Sequence, residues 1–322
     1  MIPSFLAGFY EASDLQFDLK KICQRFDFQF VESQLILICA EKNQVQLSNQ
    51  AFIDYDICSV NIGIESNPIR TKTKNDENLV YLKPISKLIE KWNRIKNKMA
   101  TEPTDIKIIG GGAAAFEIAI ACRKHFKSIT NEITLITGMN GLLHDQSARA
   151  KKMAKESLSA NRIKLIENLR VELITDQQLV LSDGTNLLKD ICFIGTTAAV
   201  NPLFKNSGLP VSETGFVRVD KNLLVEGTKN IFAAGDCCHF SAEPLQKAGV
   251  YAVRQGPIIY QNIISILEKK SLTQYKPQTE FLKILVSGDR EAIAIYGKFA
   301  FKGFLAWKLK NYIDLNFMKR FL

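Results

Sequence analysis

The stretch that most limits what this chain can fold into is TDIKIIGGGAAAFEIAIA, residues 104–121, where three glycines stand between an apolar strand and an apolar helix start. Gly110-x-Gly112-x-x-Ala115 fits the GxGxxG/A fingerprint of a strand–turn–helix unit that holds a dinucleotide. The first glycine permits the tight turn, the second lets backbone approach a pyrophosphate, and a small third residue lets the helix pack on the strand. N–H groups at the helix start then face anionic phosphates. Gly110, Gly111, Gly112 and Ala115 are therefore candidate cofactor contacts, against the competing reading of an ordinary turn rich in small residues.

The surroundings favour the dinucleotide. A strand at 105–109 runs through the glycines into a helix at 112–126, and EITLITG at 132–138 supplies a second strand, which makes a βαβ unit. The acid that often ends the second strand and binds a ribose 2′-OH is missing, because the chain continues Thr137-Gly138-Met139-Asn140. No lysine or arginine follows before Arg149 to receive a 2′-phosphate, so NADH is mildly preferred over NADPH, with Thr137 at the strand end as a candidate contact. Glu117 is read in the first turn of the helix, where two roles stay open: favourable interaction with the helix dipole, or a place near the nicotinamide.

With 322 residues, 46% hydrophobic and 23% charged, the chain can bury a core of globular type. The formal net charge of +9 suits anionic partners, but the basic residues are scattered and no nucleic-acid motif accompanies them, so nucleic acid is not an expected partner. No uninterrupted apolar run of about 18 residues appears and the start lacks a signal-peptide n-region, which reads as cytoplasmic. Seven cysteines occur without CxxC or CxxxxC spacing, and His125, His144 and His239 have no His or Cys at zinc-site spacing, so no metal is expected.

Elsewhere, strands are expected near 28–40, 44–48 and 56–61, and an amphipathic helix at 82–99 with Leu88, Trp92, Ile95 and Met99 on one face. Residues 145–160 read as helix, followed by short strands with a turn at Asp183-Gly184. NIFAAGDCCHF at 230–240 reads as a strand ending in Gly235-Asp236, and 245–267 as a helix, before a linker and a last stretch of two strand-like runs and a terminal segment. That terminal segment, 302–322, interleaves Lys302, Lys308, Lys310, Lys319 and Arg320 with Phe304, Leu305, Trp307, Tyr312 and Phe321. It reads first as a helix docked on its own domain and second as peripheral contact with an anionic membrane.

The order of IIGGGAAAFE, CFIGTTAAVNP and NIFAAGDCCHF resembles the pyridine nucleotide-disulphide oxidoreductases and type II NADH dehydrogenases. MIPSFLAGFY, YDICSVNIG, KAGVYAVRQGP and the C-terminal GKFAFKGFLAWKLKNYIDLNFMKRF look like the NADH dehydrogenase-like flavoproteins often fused to selenide, water dikinase. The resemblance implies an α/β two-dinucleotide-binding flavoprotein, with a Rossmann-like FAD domain at 1–75 and 196–270 interrupted by an NAD(P)H domain at 76–195 and followed by a small α+β cap at 271–322. It also implies that Asp236, after Gly235, binds the flavin ribityl or phosphate region, that Gly63 and Gly195 end the strands crossing between domains, and that Lys247 and Ala248 begin a helix aimed at the flavin ring.

FAD and NAD(P)H are the implied cofactors, a quinone is an implied acceptor, and a link to selenide, water dikinase is an implied partnership. No redox disulphide is expected, since Cys237-Cys238 reads as two small, partly buried residues, and no side chain is assigned a catalytic role because the cofactors carry the chemistry. The family opens with a strand–GxGxxG–helix for FAD that this sequence does not display. The expectation is an upstream continuation of the chain; the alternative is a non-enzymatic dinucleotide-binding or interaction protein.

Overall fold

The computed structural model describes residues 1–74, 76–126 and 132–319, without the side chains of 98–101; Arg320, Phe321 and the Met99 side chain lie outside the described residues. Two compact units are found. One joins residues 1–29, 66–197 and 280 onward, and the other joins 30–65 and 198–279.

The first unit is built on a five-stranded parallel sheet in the order Lys164–Ile166, Ile133–Ile136, Ile106–Ile109, Ile191–Ile194, Leu79–Tyr81. Its three central strands read IKII, ITLI and ICFI and are buried at every position, as a sheet covered on both faces requires. Lys107 is the exception in residue type: its ammonium is buried but donates to Glu132 Oε1 at 3.1 Å and Thr134 Oγ1 at 3.3 Å. The helices Ala113–His125 and Ala148–Ala160 form the crossovers of the βαβα succession. The first begins on Gly112 without a side-chain cap and ends in Arg123, Lys124 and His125, whose charge complements the C-terminal dipole. Ser147 caps the second by accepting from Ala150 N–H.

The helix Ile85–Thr101 sets Leu88, Trp92 and Ile95 into the same core as Phe116 and Phe193, as its apolar stripe predicts. The sequence reading groups 1–75 with 196–270 and sets 271–322 apart, whereas the compact units place 1–29 and the segment from 280 with the parallel sheet. The physical cause is shared burial. Phe5 and Leu6, from the short helix Ile2–Leu6, and Leu285, Val286, Ile293 and Ile295, from the antiparallel strands Lys283–Gly288 and Glu291–Tyr296, enter one core with Phe116 and Ile120.

The terminal helix Phe304–Met318 docks through Ala306 and Met318, and Tyr10 donates to Asn311 Oδ1 at 3.1 Å. Its other side leaves Leu305 and Tyr312 exposed, and Phe299 of the preceding strand Phe299–Gly303 is exposed as well. No helix of the described residues is long and apolar enough to cross a membrane.

The second unit contains two parallel strand pairs, Cys58–Val60 with Ile231–Ala233 and Val217–Val219 with Cys238–Phe240, and a three-stranded antiparallel sheet, Leu35–Cys39, Gln44–Leu47 and Phe52–Asp54. Strand structure begins only at Leu35; in the expected run from 28, Phe28, Phe30 and Val31 are exposed, and Phe28 N–H is taken by Cys23 O of the preceding helix. The helix Gly249–Leu267 carries the buried Asn262, whose amide donates to Asn222 O and Thr273 O and whose oxygen accepts from Thr273 N–H. Those bonds, with the buried Tyr275 against Phe240, fasten the expected linker to this unit.

Candidate functional site

The glycine turn is dictated by crowding between adjacent strands. Gly110 N–H donates to Ile136 O and Gly195 N–H to Ile109 O, so both glycines continue the sheet past its last regular residues. At Gly110, φ is +143°, and a Cβ would stand 2.4 Å from Gly195 O and 3.0 Å from Ala115 Cβ. Only glycine meets both conditions. A Cβ on Gly111 would come within 2.4 Å of Gly141 O, while Gly112 has open space where its Cβ would be. The three glycines thus divide their work: Gly110 and Gly111 admit neighbouring backbone, and Gly112 leaves room for something the protein does not itself provide.

That room belongs to a cleft of about 580 Å³ over the C-terminal ends of the parallel strands, lined by Gly110, Gly111, Gly112 and Gly195 together with residues of three further loops. The loops are 67–69, 138–144 and 169–171, with Thr196 and Thr197 beside them. Asn67 N–H donates to Thr197 O and Leu169 N–H to Thr137 O, which holds the rim together. A cleft at this edge, beside an uncapped helix N-terminus, is where an open α/β sheet binds phosphate-bearing ligands.

Not every expected residue reaches it. Ala115 is buried and serves as the small packing residue of the turn. Thr137 is fully buried and bonded through N–H and Oγ1 to Ile166 O, so it braces the strand end. Glu117 lies in the second turn, since the helix begins at Ala113, and its carboxylate accepts from Val286 N–H at 2.8 Å. The first-turn dipole role is corrected accordingly, and the side chain is not brought into the cleft. Burial pushes the Glu117 carboxyl up, opposed by Lys310 and by the Val286 bond.

Sequence reading missed Asn67, His144, Arg170 and Thr196 as lining residues. Arg170 and Asn67 come from parts of the chain far from the glycines, and only the sheet order makes them neighbours.

The second unit holds the other expected positions. Gly235 has φ +74°, and a Cβ there would meet Asn61 Oδ1 at 2.7 Å; its N–H donates to Gln255 Oε1 at 2.7 Å. A small pocket beside it is lined by Asp236, Cys238, Lys247 and Tyr251. The Lys247 ammonium lies 3.7 Å from the Phe216 ring centroid and donates to Cys238 O, and burial lowers its pKa. Ala248 is the N-cap of Gly249–Leu267 and offers no side-chain cap, so that helix start is also open. Gly63, with φ +71°, lies three residues past the end of the strand Cys58–Val60.

Cys237 and Cys238 are free thiols with sulfurs 3.8 Å apart. The Cys238 thiol hydrogen bond lowers the Cys237 pKa, and burial raises that of Cys238.

With this geometry, the comparison with known proteins is direct. A sequence profile for pyridine nucleotide-disulphide oxidoreductases matches residues 19–256. The chain belongs to that family. Among relatives, ferroptosis suppressor protein 1 of Taeniopygia guttata is 29% identical over 184 residues, covering 53% of this chain and 48% of the relative. The type II NADH:quinone oxidoreductase of Staphylococcus saprophyticus is 20% identical over 298 residues, 84% of this chain and 73% of the relative. The chain thus spans about half the length of the ferroptosis suppressor proteins it matches.

Among solved structures, the sulfide:quinone oxidoreductase of Aquifex aeolicus superposes with a TM-score of 0.81 at 17% identity, covering 99% of this chain and 81% of that one. A water-forming NADH oxidase from Lactobacillus brevis, solved with NADH bound, gives 0.74 at 18% identity over 92% of this chain and 66% of that one. The family's fold is the two-dinucleotide-binding flavoprotein fold, as the order of the sequence motifs implies.

Proposed function

We propose that this chain is an FAD-dependent NAD(P)H oxidoreductase that delivers electrons to a small acceptor, a quinone in the first instance. The observation that carries the reading is the cleft over Gly110–Gly112, where an unobstructed Gly112 and an uncapped helix N-terminus suit a pyrophosphate. Reduced nicotinamide dinucleotide would be held there, with Thr196 and Asn67 among the lining residues.

In this reading the second unit would hold the flavin dinucleotide at the start of Gly249–Leu267. Gly235 leaves no space for a Cβ, Asp236 and Lys247 line the pocket beside it, and the open start of Gly249–Leu267 presents its positive end. When bound, FAD supplies a two-electron acceptor for the nicotinamide's hydride. The protein's contribution is placement and charge: Lys247 and the helix dipole favour negative charge on a ligand at that helix start, and Gly63 and Gly195 turn the chain at strand ends. The type II NADH:quinone oxidoreductases among the relatives support a quinone acceptor. The resemblance to flavoproteins fused to selenide, water dikinase supports a link to selenium metabolism within the same proposal.

Peripheral membrane contact is a second part of the reading. Phe299, Leu305 and Tyr312 are 80%, 74% and 67% exposed, and the exposed Lys298 and Lys308 belong to the same segment, which suits an anionic lipid surface.

The test is absorbance of the purified chain after reconstitution with FAD, followed by anaerobic addition of NADH or NADPH and then a quinone. A flavin band that bleaches with the nucleotide and returns with the quinone is expected. A colourless protein that still binds NADH would replace the enzyme with a dinucleotide-binding protein.

A further inference from the structure

We infer that the glycine-turn cleft selects NADPH over NADH, through a 2′-phosphate subsite formed by Arg170 and His144. The inference rests on the proposal that the cleft holds a nicotinamide dinucleotide. In an open α/β sheet, a pyrophosphate on the first helix N-terminus sends the adenosine ribose over the end of the next strand, where an acid marks NAD and an arginine accommodates the extra phosphate of NADP. Here that strand is Ile133–Ile136, and the cleft beyond it is lined by Gly138, Met139 and Asn140, with no carboxylate among its lining residues.

The nearest acid is already committed. Glu167 follows the neighbouring strand Lys164–Ile166, and its two carboxylate oxygens accept from Leu142 N–H at 3.2 Å and from the Lys155 ammonium at 2.5 Å. Those bonds hold its carboxyl below the usual range, so it is a used acceptor that does not line the cleft. Asp145, next to His144, is likewise bonded to Lys283.

Two nitrogen-bearing side chains, by contrast, line the cleft. Arg170 lines it from the loop after Lys164–Ile166, and Leu169 N–H to Thr137 O ties that loop to the end of Ile133–Ile136. The Arg170 backbone is fixed from both sides, because its oxygen accepts from Ser182 N–H at 2.8 Å and its N–H donates to Ser182 Oγ at 3.2 Å. Its guanidinium forms no ion pair with a carboxylate among the described residues, and His144 lines the same cleft. An arginine anchored at its backbone and unpaired at its head matches a phosphate monoester, which it can bind with two parallel hydrogen bonds. The preference for NADH rests on sequence distance, with no lysine or arginine between that strand and Arg149; the sheet order brings a later arginine into the lining of the same cleft.

The experiment is fluorescence titration of the full chain with NADPH and with NADH, and with 2′-phospho-AMP and AMP as competitors. The wild type is expected to bind NADPH at least tenfold more tightly than NADH, with 2′-phospho-AMP the stronger competitor. Arg170→Gln should cost NADPH about tenfold more than it costs NADH, and Arg149→Gln, exposed and outside the cleft lining, should leave the ratio within about twofold. A wild type that binds both nucleotides equally, or an Arg170→Gln variant with an unchanged ratio, overturns the subsite while leaving the nicotinamide site intact. Binding of neither nucleotide overturns both.

Discussion

Replacing Gly110 and Gly112 separately by alanine should divide fold from ligand at one turn. At Gly110 the new methyl faces two costs. Its φ of +143° is in the region L side chains avoid, about 1–3 kcal/mol. Its Cβ would press on Gly195 O at 2.4 Å, roughly 1 Å inside ordinary contact, which is overpacking of about 1–3 kcal/mol. Neither neighbour can yield cheaply, because Gly195 is hydrogen-bonded to Ile109 O at the end of a buried strand. The sum, about 2–6 kcal/mol, is a large part of a typical domain's stability and should lower Tm on the order of 10 °C.

Gly112 has ordinary φ and nothing within 4 Å of the missing Cβ, so Gly112→Ala should keep the wild-type Tm. The methyl would instead stand where a pyrophosphate approaches, and nucleotide affinity should fall by about tenfold or more. Both tryptophans, Trp92 and Trp307, lie in the unit that contains the turn, so thermal unfolding followed by intrinsic fluorescence reads that unit. Nucleotide titration of the same samples gives the second axis. A Gly110→Ala protein as stable as wild type, or a Gly112→Ala protein with undiminished nucleotide affinity, would refute the division of roles.

Other perturbations test the core around the site. Glu117 has a folded-state pKa above its ordinary value, so the folded state holds its proton more tightly and stability declines as pH rises from about 4.5 toward that raised value. Glu117→Gln should remove that decline in Tm-versus-pH curves, whereas Glu117→Ala, which strands Val286 N–H, should cost about 1–3 kcal/mol in urea titration. Glu132 shows the opposite sign. Its bond from the buried Lys107 ammonium lowers its pKa, so it contributes stability above about pH 4.5 that is lost as pH falls through the lowered value, and Glu132→Gln should flatten the acid limb of the same curves. In thiol titration with an aromatic disulphide, only Cys23, Cys39 and Cys58 are partly exposed; no more than these three should react quickly in the native protein, and all seven should react in denaturant.

Local patterns made the glycine turn readable before any coordinates. IKII, the three glycines and the small Ala115 each state one requirement of a tight strand-to-helix joint, and all are close together in the chain. Glu117 was harder, because helix phase decides whether a carboxylate meets the dipole or the opposite wall, and the start at Ala113 moved it by one turn. Its partner, Val286, is 169 residues away, a pairing that depends on how the C-terminal strands pack. Arg170 and Asn67 were hidden for the same reason: parallel strands gather loops from distant parts of the chain at one edge, and no spacing rule announces which loops those are. The terminal helix shows a mixed pattern because it does two things, docking through Ala306 and exposing Leu305 and Tyr312.

The bond between Val286 and Glu117 also constrains how this sequence can drift. Side chains on a strand alternate faces, so a single-residue insertion or deletion within Lys283–Gly288 would turn its apolar residues to the wrong side and carry the Val286 N–H away from the carboxylate. The hairpin at the far end of the chain therefore acts as a ruler for the helix that begins at Ala113. Length variation is tolerable in the loops beside it and costly within it, even though none of its residues lines the cleft.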